Sequence, residues 1–579
     1  MNYSRLPSKI NNSLKLWRVN IIIAFFVFIW AAIVGKLFFI QILHSDFYKA
    51  LAQGQQKFLS QVQGKRGQIF LKDGEKDIPL AVNRTWSFCY VSPNEIQNKE
   101  ETAESLSQAL SLEKNEILDK INSQNEESLF LILKQKLSEE EISNIKKINL
   151  PGIYIKEENL RDYPQGFLSS NVVGFLGGEG KGQYGVEGYF DDILTGKEGF
   201  VQGEKESTGL LFLNSESFFS EKKGSDILLT IDYNVQFTAE KLLKEAKDRL
   251  GFKEGEIIIM DPNSGKIITL AQFPTFNPNS YSGEKTMDIF QNAAIQKIFE
   301  PGSVFKPITM AAALEEEKIT PQTTYTDPGV IKIGGWPIYN YGQRTYPGKI
   351  TMTEVLEKSI NTGAVFAERQ LGNTLFLDYI NKFSFFDKTG IDLQGEVFSQ
   401  NKEFKKGYEI NFATAAFGQG IEMTPIQLIR AYGAIANGGR LVKPYVVDKI
   451  FENGRISQTQ SVISSPVISQ RTADQLTTML VGVIENGFGK AAKVPGYYIA
   501  GKTGTAQVSW ASLGIDKKGY SNETIQTFIG FVPAFNPRFV ILIKLDNPNT
   551  KTAEYSAVPI FHELAKYIID LWQIPPDYE

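Results

Sequence analysis

A serine and a lysine three residues apart on a helix lie on one face, a turn apart, close enough to exchange a proton. The pair can make a serine nucleophilic without histidine, because a lysine held neutral can take the hydroxyl proton. The stretch EPGSVFKPITMAAALEEE offers it as Ser303 and Lys306. The spacing alone says little, since Ser111/Lys114, Ser143/Lys146, Ser220/Lys223, Ser282/Lys285 and Ser399/Lys402 share it. The surroundings single out Ser303. Pro301-Gly302 breaks the preceding chain, which puts the serine at the opening of a helix continuing through Leu314. A backbone N–H there has no intrahelical acceptor and is free to donate to a developing oxyanion. The apolar MAAAL predicts burial, which depresses the pKa of Lys306.

Two further patterns follow in the chain. EKSINTG supplies Ser359-Ile360-Asn361, a hydroxyl to pass a proton and an amide to hold a lysine and a substrate amide; S-x-N recurs at Ser123/Asn125, Ser169/Asn171 and Ser399/Asn401. Lys-Thr-Gly occurs at Lys388 and at Lys502. A strand lining a cleft needs alternating side chains and a small residue where substrate meets the backbone. Lys502, Thr503, Gly504 and Thr505 fit that description, and Lys388 is expected in a connecting turn. The same region, GYYIAGKT from Gly496, satisfies the phosphate-loop pattern G-x-x-x-x-G-K-[ST]. That reading fails on context, because Tyr-Tyr-Ile-Ala is strand material and TGTAQVSWASLG cannot open the required helix.

Other chemistries are bounded by what is scarce. The only histidines are His44 and His562 and the only cysteine is Cys89. Ser-His-Asp and Cys-His catalysis, a histidine or cysteine metal cluster and an intrachain disulfide are therefore not expected. No cofactor is implied. A net charge of −4 gives no global basic field for nucleic acid.

Several elements must position these residues. The 579-residue chain is too long for one ordinary core. IIIAFFVFIWAAIVG, Ile21 to Gly35, carries no charge and resumes after Lys36 as LFFIQIL, about one bilayer of helix. Arg5, Lys9, Lys15 and Arg18 precede it without an acidic residue, so the tail is expected in the cytoplasm and the body outside. A charged helical tract is expected from Asn98 to about Lys147, then a glycine-rich, turn-filled stretch over 161–200 in which Arg161 and Glu187 read as structural ties. Near Gly224 the texture changes. DILLTID reads as a strand, VQFTAEKLLKEAKDRL as a helix, and GEIIIM with KIITLAQ as a hairpin about DPNSG. A second strand pair, QTFIGFVPAFNPRFVILIKLD, and a helix close the chain. The pattern predicts one α/β unit whose sheet is completed by both ends.

S-x-x-K, S-x-N and K-T-G in this order resemble the signature set of penicillin-binding proteins and class A β-lactamases. EPGSVFKP, AAFGQGIEMTPIQL, AIANGGRLVKP, AGKTGTAQ and FIGFVPAFNPR narrow the resemblance to the class B, high-molecular-weight penicillin-binding proteins. RGQIF, LAVN, RDYP and YGVEGYFDDILTG extend it toward the membrane, although Phe70-Leu71-Lys72-Asp73-Gly74 departs from the usual Asp-Arg-x-Gly. The resemblance implies an α/β (α+β) D,D-transpeptidase domain of β-lactamase-like fold at 224–579. Ahead of it come a cytoplasmic tail at 1–18, a transmembrane anchor at 19–43 and an elongated α+β pedestal at 44–223. It further implies that Ser303 forms an acyl-enzyme with a D-Ala-D-Ala stem peptide, that Lys306 is its base, and that Ser359 relays the proton. Asn361 orders the lysine and substrate, Lys502 supplies positive field, Thr503 and Thr505 bind the substrate carboxylate beside Gly504, and the Ser303 and Thr505 N–H groups form the oxyanion hole. The implied partners are an acceptor amine, β-lactams, the cytoplasmic membrane, a polytopic glycosyltransferase and other division or elongation membrane proteins. The division subfamily is preferred; a D,D-carboxypeptidase or a β-lactam-binding sensor or scaffold is the alternative.

Overall fold

The computed structural model describes residues 13–38, 57–62, 64–123, 130–148, 150–197, 199–205, 211–219 and 222–579. The chain divides into two compact units, residues 1–65 with 195–224, and residues 66–194 with 225–579. In the first, Ser13–Phe38 is a helix, and the strand Gly199–Lys205 pairs antiparallel with Lys57–Val62 and Leu211–Phe219. Phe25, Phe26, Phe28 and Trp30 are exposed along the helix. Among the described residues no helix is long and apolar enough to cross a membrane. The expected anchor at 19–43 lies partly outside the described residues, as does His44.

The second unit begins with a sheet built on the long strand Lys76–Val91, which pairs with Ile69–Asp73, Leu131–Lys134 and Ile153–Asp162. Helices Lys99–Leu110, Lys114–Asn122 and Glu139–Lys147 bury Leu106, Leu110, Ile117, Ile121 and Ile145 against it. The helical tract expected over 98–147 is therefore interrupted by a strand. Leu131–Lys134 turns one apolar edge into the same core that the helices fill, and composition does not separate the two states over so short a run. Asp226–Asp232, the DILLTID strand, joins this sheet, parallel to Ile69–Asp73 and antiparallel to Val447–Glu452.

A five-stranded antiparallel sheet carries the rest: β1 (Gly255–Met260), β2 (Ile267–Phe273), β3 (Ala500–Ser509), β4 (Tyr520–Val532) and β5 (Phe539–Asp546), in the order β2-β1-β5-β4-β3. Both ends of the segment complete the sheet, as the pattern predicts. The helices that pack on it or position the site include α1 (Tyr233–Leu250), α2 (Lys306–Glu315), α3 (Asn361–Leu371), α4 (Pro425–Ala436), α5 (Gln470–Glu485) and α6 (Ala557–Leu571). The central strands are buried on both faces, which is why they read as unbroken apolar runs. Ile257, Ile259, Ile541 and Ile543 meet Leu243 of α1 and Phe561 and Leu564 of α6, while Ile258, Met260, Val540 and Leu542 face the core that holds α2, α4 and α5. Asp232 caps α1 by accepting from the Asn234 and Val235 N–H groups, both at 3.0 Å. Helix α2 is apolar all round, and from Lys306 to Leu314 every residue is buried, so it runs through the core. Strand β3 forms one edge of the sheet and leaves one side of its backbone unpaired by strands.

Candidate active site

Ser303 sits in a short 3-10 turn, Gly302–Phe305, that leads directly into α2. Gly302 has φ +62°, a conformation glycine adopts without strain, and its N–H donates to Gly418 O at 2.9 Å. Tyr432 on α4, fully buried, donates its hydroxyl to Val304 O at 2.8 Å. The turn that carries Ser303 is thus held from FGQG on one side and from α4 on the other.

Lys306 is buried and its Nζ lies 3.0 Å from Ser303 Oγ, 2.6 Å from Ser359 O and 3.2 Å from Ser359 Oγ. Burial first, and the charge of Lys502 second, hold its pKa well below the usual lysine value. Ser359 O can only accept, so one amine N–H is committed to it. The lone pair of the neutral amine is then available to the Ser303 O–H. Lys502 projects from β3, also buried, and its Nζ donates to Ser359 Oγ and to Thr503 O, each at 3.0 Å. Burial brings its pKa down to about 7. Two amines of like charge cannot both stay protonated around one hydroxyl in a buried site, so Lys502 retains a proton more readily than Lys306.

Ser359 is the shared atom. Its φ of +54° is left-handed and strained for a residue with a β-carbon, at roughly 1–2 kcal/mol. Its Oγ accepts from both amines, which leaves its own proton free to donate outward. Gly504 follows Lys502 where β3 crosses the Ser303 turn. A β-carbon at Gly504 would lie 3.0 Å from Val304 Cγ1 and 3.1 Å from Pro301 O, so any side chain there would push strand and turn apart. Thr505 Oγ1 accepts from Ala553 N at 3.2 Å, and Thr503 is buried beside Lys502.

Asn361, at the start of α3, does not reach Lys306 among the described residues. Its Nδ2 donates to Tyr339 O at 2.9 Å, and the Ser359 carbonyl orders the lysine in its place. The second Lys-Thr-Gly, at Lys388, lies in a turn. Glu396 accepts from Thr389 N and Oγ1, both at 2.6 Å, and from Gly390 N at 3.0 Å. Gly496, the first glycine of the phosphate-loop pattern, has φ +87°, and its carbonyl accepts from Asp577 N. No helix follows Lys502; the chain continues as β3. Glu187 is fully buried between Arg66 and Arg161, 2.7 Å from each Nε, and ties RGQIF to RDYP. Sequence reasoning missed the support of Tyr432, and also a buried Asp327–Asn340–Thr362 cluster behind Asn361. No motif announces either.

A serine, a buried lysine of lowered pKa, a hydroxyl shared between two amines and a second lysine on a closely packed edge strand are the groups that serine acyl transfer without histidine requires. The comparisons agree. Residues 255–566 match the penicillin binding protein transpeptidase domain, and residues 61–229 the penicillin-binding protein dimerisation domain. Stage V sporulation protein D of Bacillus subtilis is 31% identical over 93% of this chain and 83% of its own length. Peptidoglycan D,D-transpeptidase FtsI of Escherichia coli K12 is 26% identical over 97% of this chain and 93% of its own. The crystal structure of Mycobacterium tuberculosis penicillin binding protein 3 complexed with aztreonam has a TM-score of 0.67 at 25% identity, covering 89% of this chain and 98% of that one. Penicillin binding protein 2X of Streptococcus thermophilus shares the fold, with a TM-score of 0.71 at 21% identity over 89% of this chain and 80% of that one.

The chain belongs to the penicillin-binding proteins, in the class B, high-molecular-weight group that joins a dimerisation domain to a transpeptidase domain. It is a serine-type peptidoglycan D,D-transpeptidase.

Proposed function

We propose that the enzyme cross-links stem peptides through an acyl-enzyme on Ser303. The observation carrying this reading is the contact of Lys306 Nζ with Ser303 Oγ while Ser359 Oγ takes hydrogen bonds from both Lys306 and Lys502. Lys306 takes the Ser303 proton as Oγ bonds to the carbonyl carbon of the penultimate D-Ala. The oxyanion is held by the Ser303 and Thr505 N–H groups. The bond to the terminal D-Ala nitrogen then breaks, and Ser359 passes the proton to that leaving amine. Thr503 and Thr505 bind the terminal carboxylate in the positive field of Lys502, and Asn361 meets the donor peptide's amide. An amine of a neighbouring stem attacks the ester and restores the Ser303 hydroxyl. β-Lactams acylate the same oxygen.

We further read the chain as a single-pass protein, with residues 1–18 in the cytoplasm, 19–43 in the membrane, 44–223 as a pedestal and 224–579 as the extracytoplasmic catalytic domain. The uncharged run from Ile21 to Gly35, the basic tail before it and the apolar exposure of Phe25 to Trp30 support this. RGQIF and FGQGIEMTP favour a septal role over elongation, alongside a polytopic glycosyltransferase and other membrane proteins of the division complex. The test of the reaction uses the detergent-solubilised full chain, a D-Ala-D-Ala stem peptide and an acceptor amine. Amide-linked dimer with release of D-Ala is expected; only the stem peptide shortened by its terminal D-Ala, with acceptor present, would make it a carboxypeptidase.

A further inference from the structure

The Ser359-Ile360-Asn361 turn is strained, yet α3, which begins at Asn361, has no side-chain cap of its own. The first-turn N–H of Thr362 donates instead to Asn340 Oδ1 at 3.1 Å, from a segment more than twenty residues upstream. Asn340 is in turn held by Asp327, whose Oδ2 accepts from Asn340 Nδ2 at 3.0 Å and from Tyr346 N at 2.8 Å. Asp327 Oδ1 accepts from Thr362 Oγ1 at 2.7 Å and from Gly329 N at 2.9 Å. Tyr325 OH lies 3.2 Å from Thr362 Oγ1. Asp327, Asn340 and Thr362 are all buried. The carboxylate therefore receives four hydrogen bonds and faces no cation among its partners.

We propose that Asp327, acting through Asn340 and Thr362, is a positioning residue that locks the relay serine and Asn361 into reacting geometry. Lys306 grips the turn from the catalytic side through Ser359 O; the Asp327 cluster grips it from behind, one residue past Asn361. The same segment supplies the Tyr339 carbonyl that holds the Asn361 amide, so a single anchored stretch fixes both the backbone and the side chain of the motif. Only a carboxylate can do this. Asn340 Nδ2 and Tyr346 N at one oxygen and Gly329 N at the other can only donate, so an amide at 327 would turn its NH2 against either Asn340 Nδ2 and Tyr346 N, or Gly329 N. The burial of Asp327 opposes its charge, but the hydrogen bonds from Thr362, Gly329, Tyr346 and Asn340 outweigh it and keep the carboxyl below its usual pKa.

This inference rests on the serine–lysine reading of the site, and the experiment separates the two. Full-length protein in detergent is mixed with a fluorescent penicillin, and the acylation rate constant is resolved from the dissociation constant of the preceding complex. Asp327→Asn is expected to slow acylation about tenfold to a hundredfold, as sub-ångström misplacement of reacting groups does, with the dissociation constant little changed. Asp327→Asn with Asn340→Asp re-creates an amide–carboxylate pair and is expected to regain part of the rate. If Asp327→Asn does not fold, Thr362→Val removes the hydroxyl donor at nearly constant shape and is expected to slow acylation in the same way. A folded Asp327→Asn or Thr362→Val that acylates at the wild-type rate overturns the proposal, as does a loss of rate that only follows the loss of folded protein. Wild-type protein that takes no penicillin overturns the reading of the site instead.

Discussion

Replacing Lys502 with methionine should stabilise the enzyme while silencing it. In the unfolded chain Lys502 keeps its proton up to its ordinary pKa of 10.5, whereas burial in the folded site brings that value to about 7. Between those limits the unfolded state binds the extra proton, so stability rises with pH across this window and the penalty is largest at and below its lower end. Integrating the difference gives a penalty of about 4 kcal/mol at pH 7, falling to about 2 kcal/mol near pH 9. Against this, methionine gives up the 3.0 Å hydrogen bonds to Ser359 Oγ and Thr503 O, worth roughly 1 kcal/mol each. Lys502→Met should therefore be about 2 kcal/mol more stable than wild type at pH 7 and indistinguishable from it near pH 9. Loss of the neighbouring charge also lets Lys306 hold its proton to higher pH, which weakens the base; acylation by a labelled penicillin should drop by about 10²-fold or more. Urea titrations of the two proteins across pH 6 to 9, with acylation rates alongside, make the test. A stability difference that does not shrink with rising pH, or a variant less stable at pH 7, would refute the reasoning about a charge penalty in the site.

Two other perturbations follow from the packing. Gly504→Val drives side-chain atoms into Val304 and the Pro301 carbonyl, so acylation should be lost with a stability cost of about 1–3 kcal/mol, read by penicillin labelling and thermal melts. Glu187→Gln leaves Arg161 buried against a neutral partner, while Arg66 keeps Asp191 at 2.7 Å; unfolding in urea should show a loss of roughly 3–5 kcal/mol, with the labelling rate of the surviving folded fraction unchanged.

The sheet and the site were legible in the sequence to different depths. β1, β2, β5 and the second half of β4 announce themselves as short apolar runs bounded by turns such as DPNSG, and α1 is announced by its Asp232 cap and helical spacing. Ser303 and Lys306 could be picked out from five competing pairs because Pro301-Gly302 and MAAAL specify a helix start and burial. Partners across the fold were not legible. DILLTID reads correctly as a strand, but nothing local tells that it lies beside Ile69–Asp73 and Val447–Glu452. The strand Leu131–Lys134 was hidden in a helical tract because its burial depends on Cys89 to Val91, forty residues earlier. Asn361 was identified by its motif, while the carbonyl it holds, Tyr339, belongs to a hairpin with no signature. Asp327 and Asn340 look like ordinary turn residues until the fold buries them together behind Thr362.

The central claim is that Ser303 Oγ, activated by Lys306, is the atom that becomes acylated. Mass spectrometry of the intact chain after incubation with a penicillin tests it directly, with Ser303→Ala and Lys306→Ala treated in parallel. The account predicts one covalent adduct on wild type, mapped to the peptide containing Ser303, none on Ser303→Ala, and an adduct forming about 10²-fold or more slowly on Lys306→Ala. An adduct on Ser303→Ala, or an unmodified wild type, would contradict it.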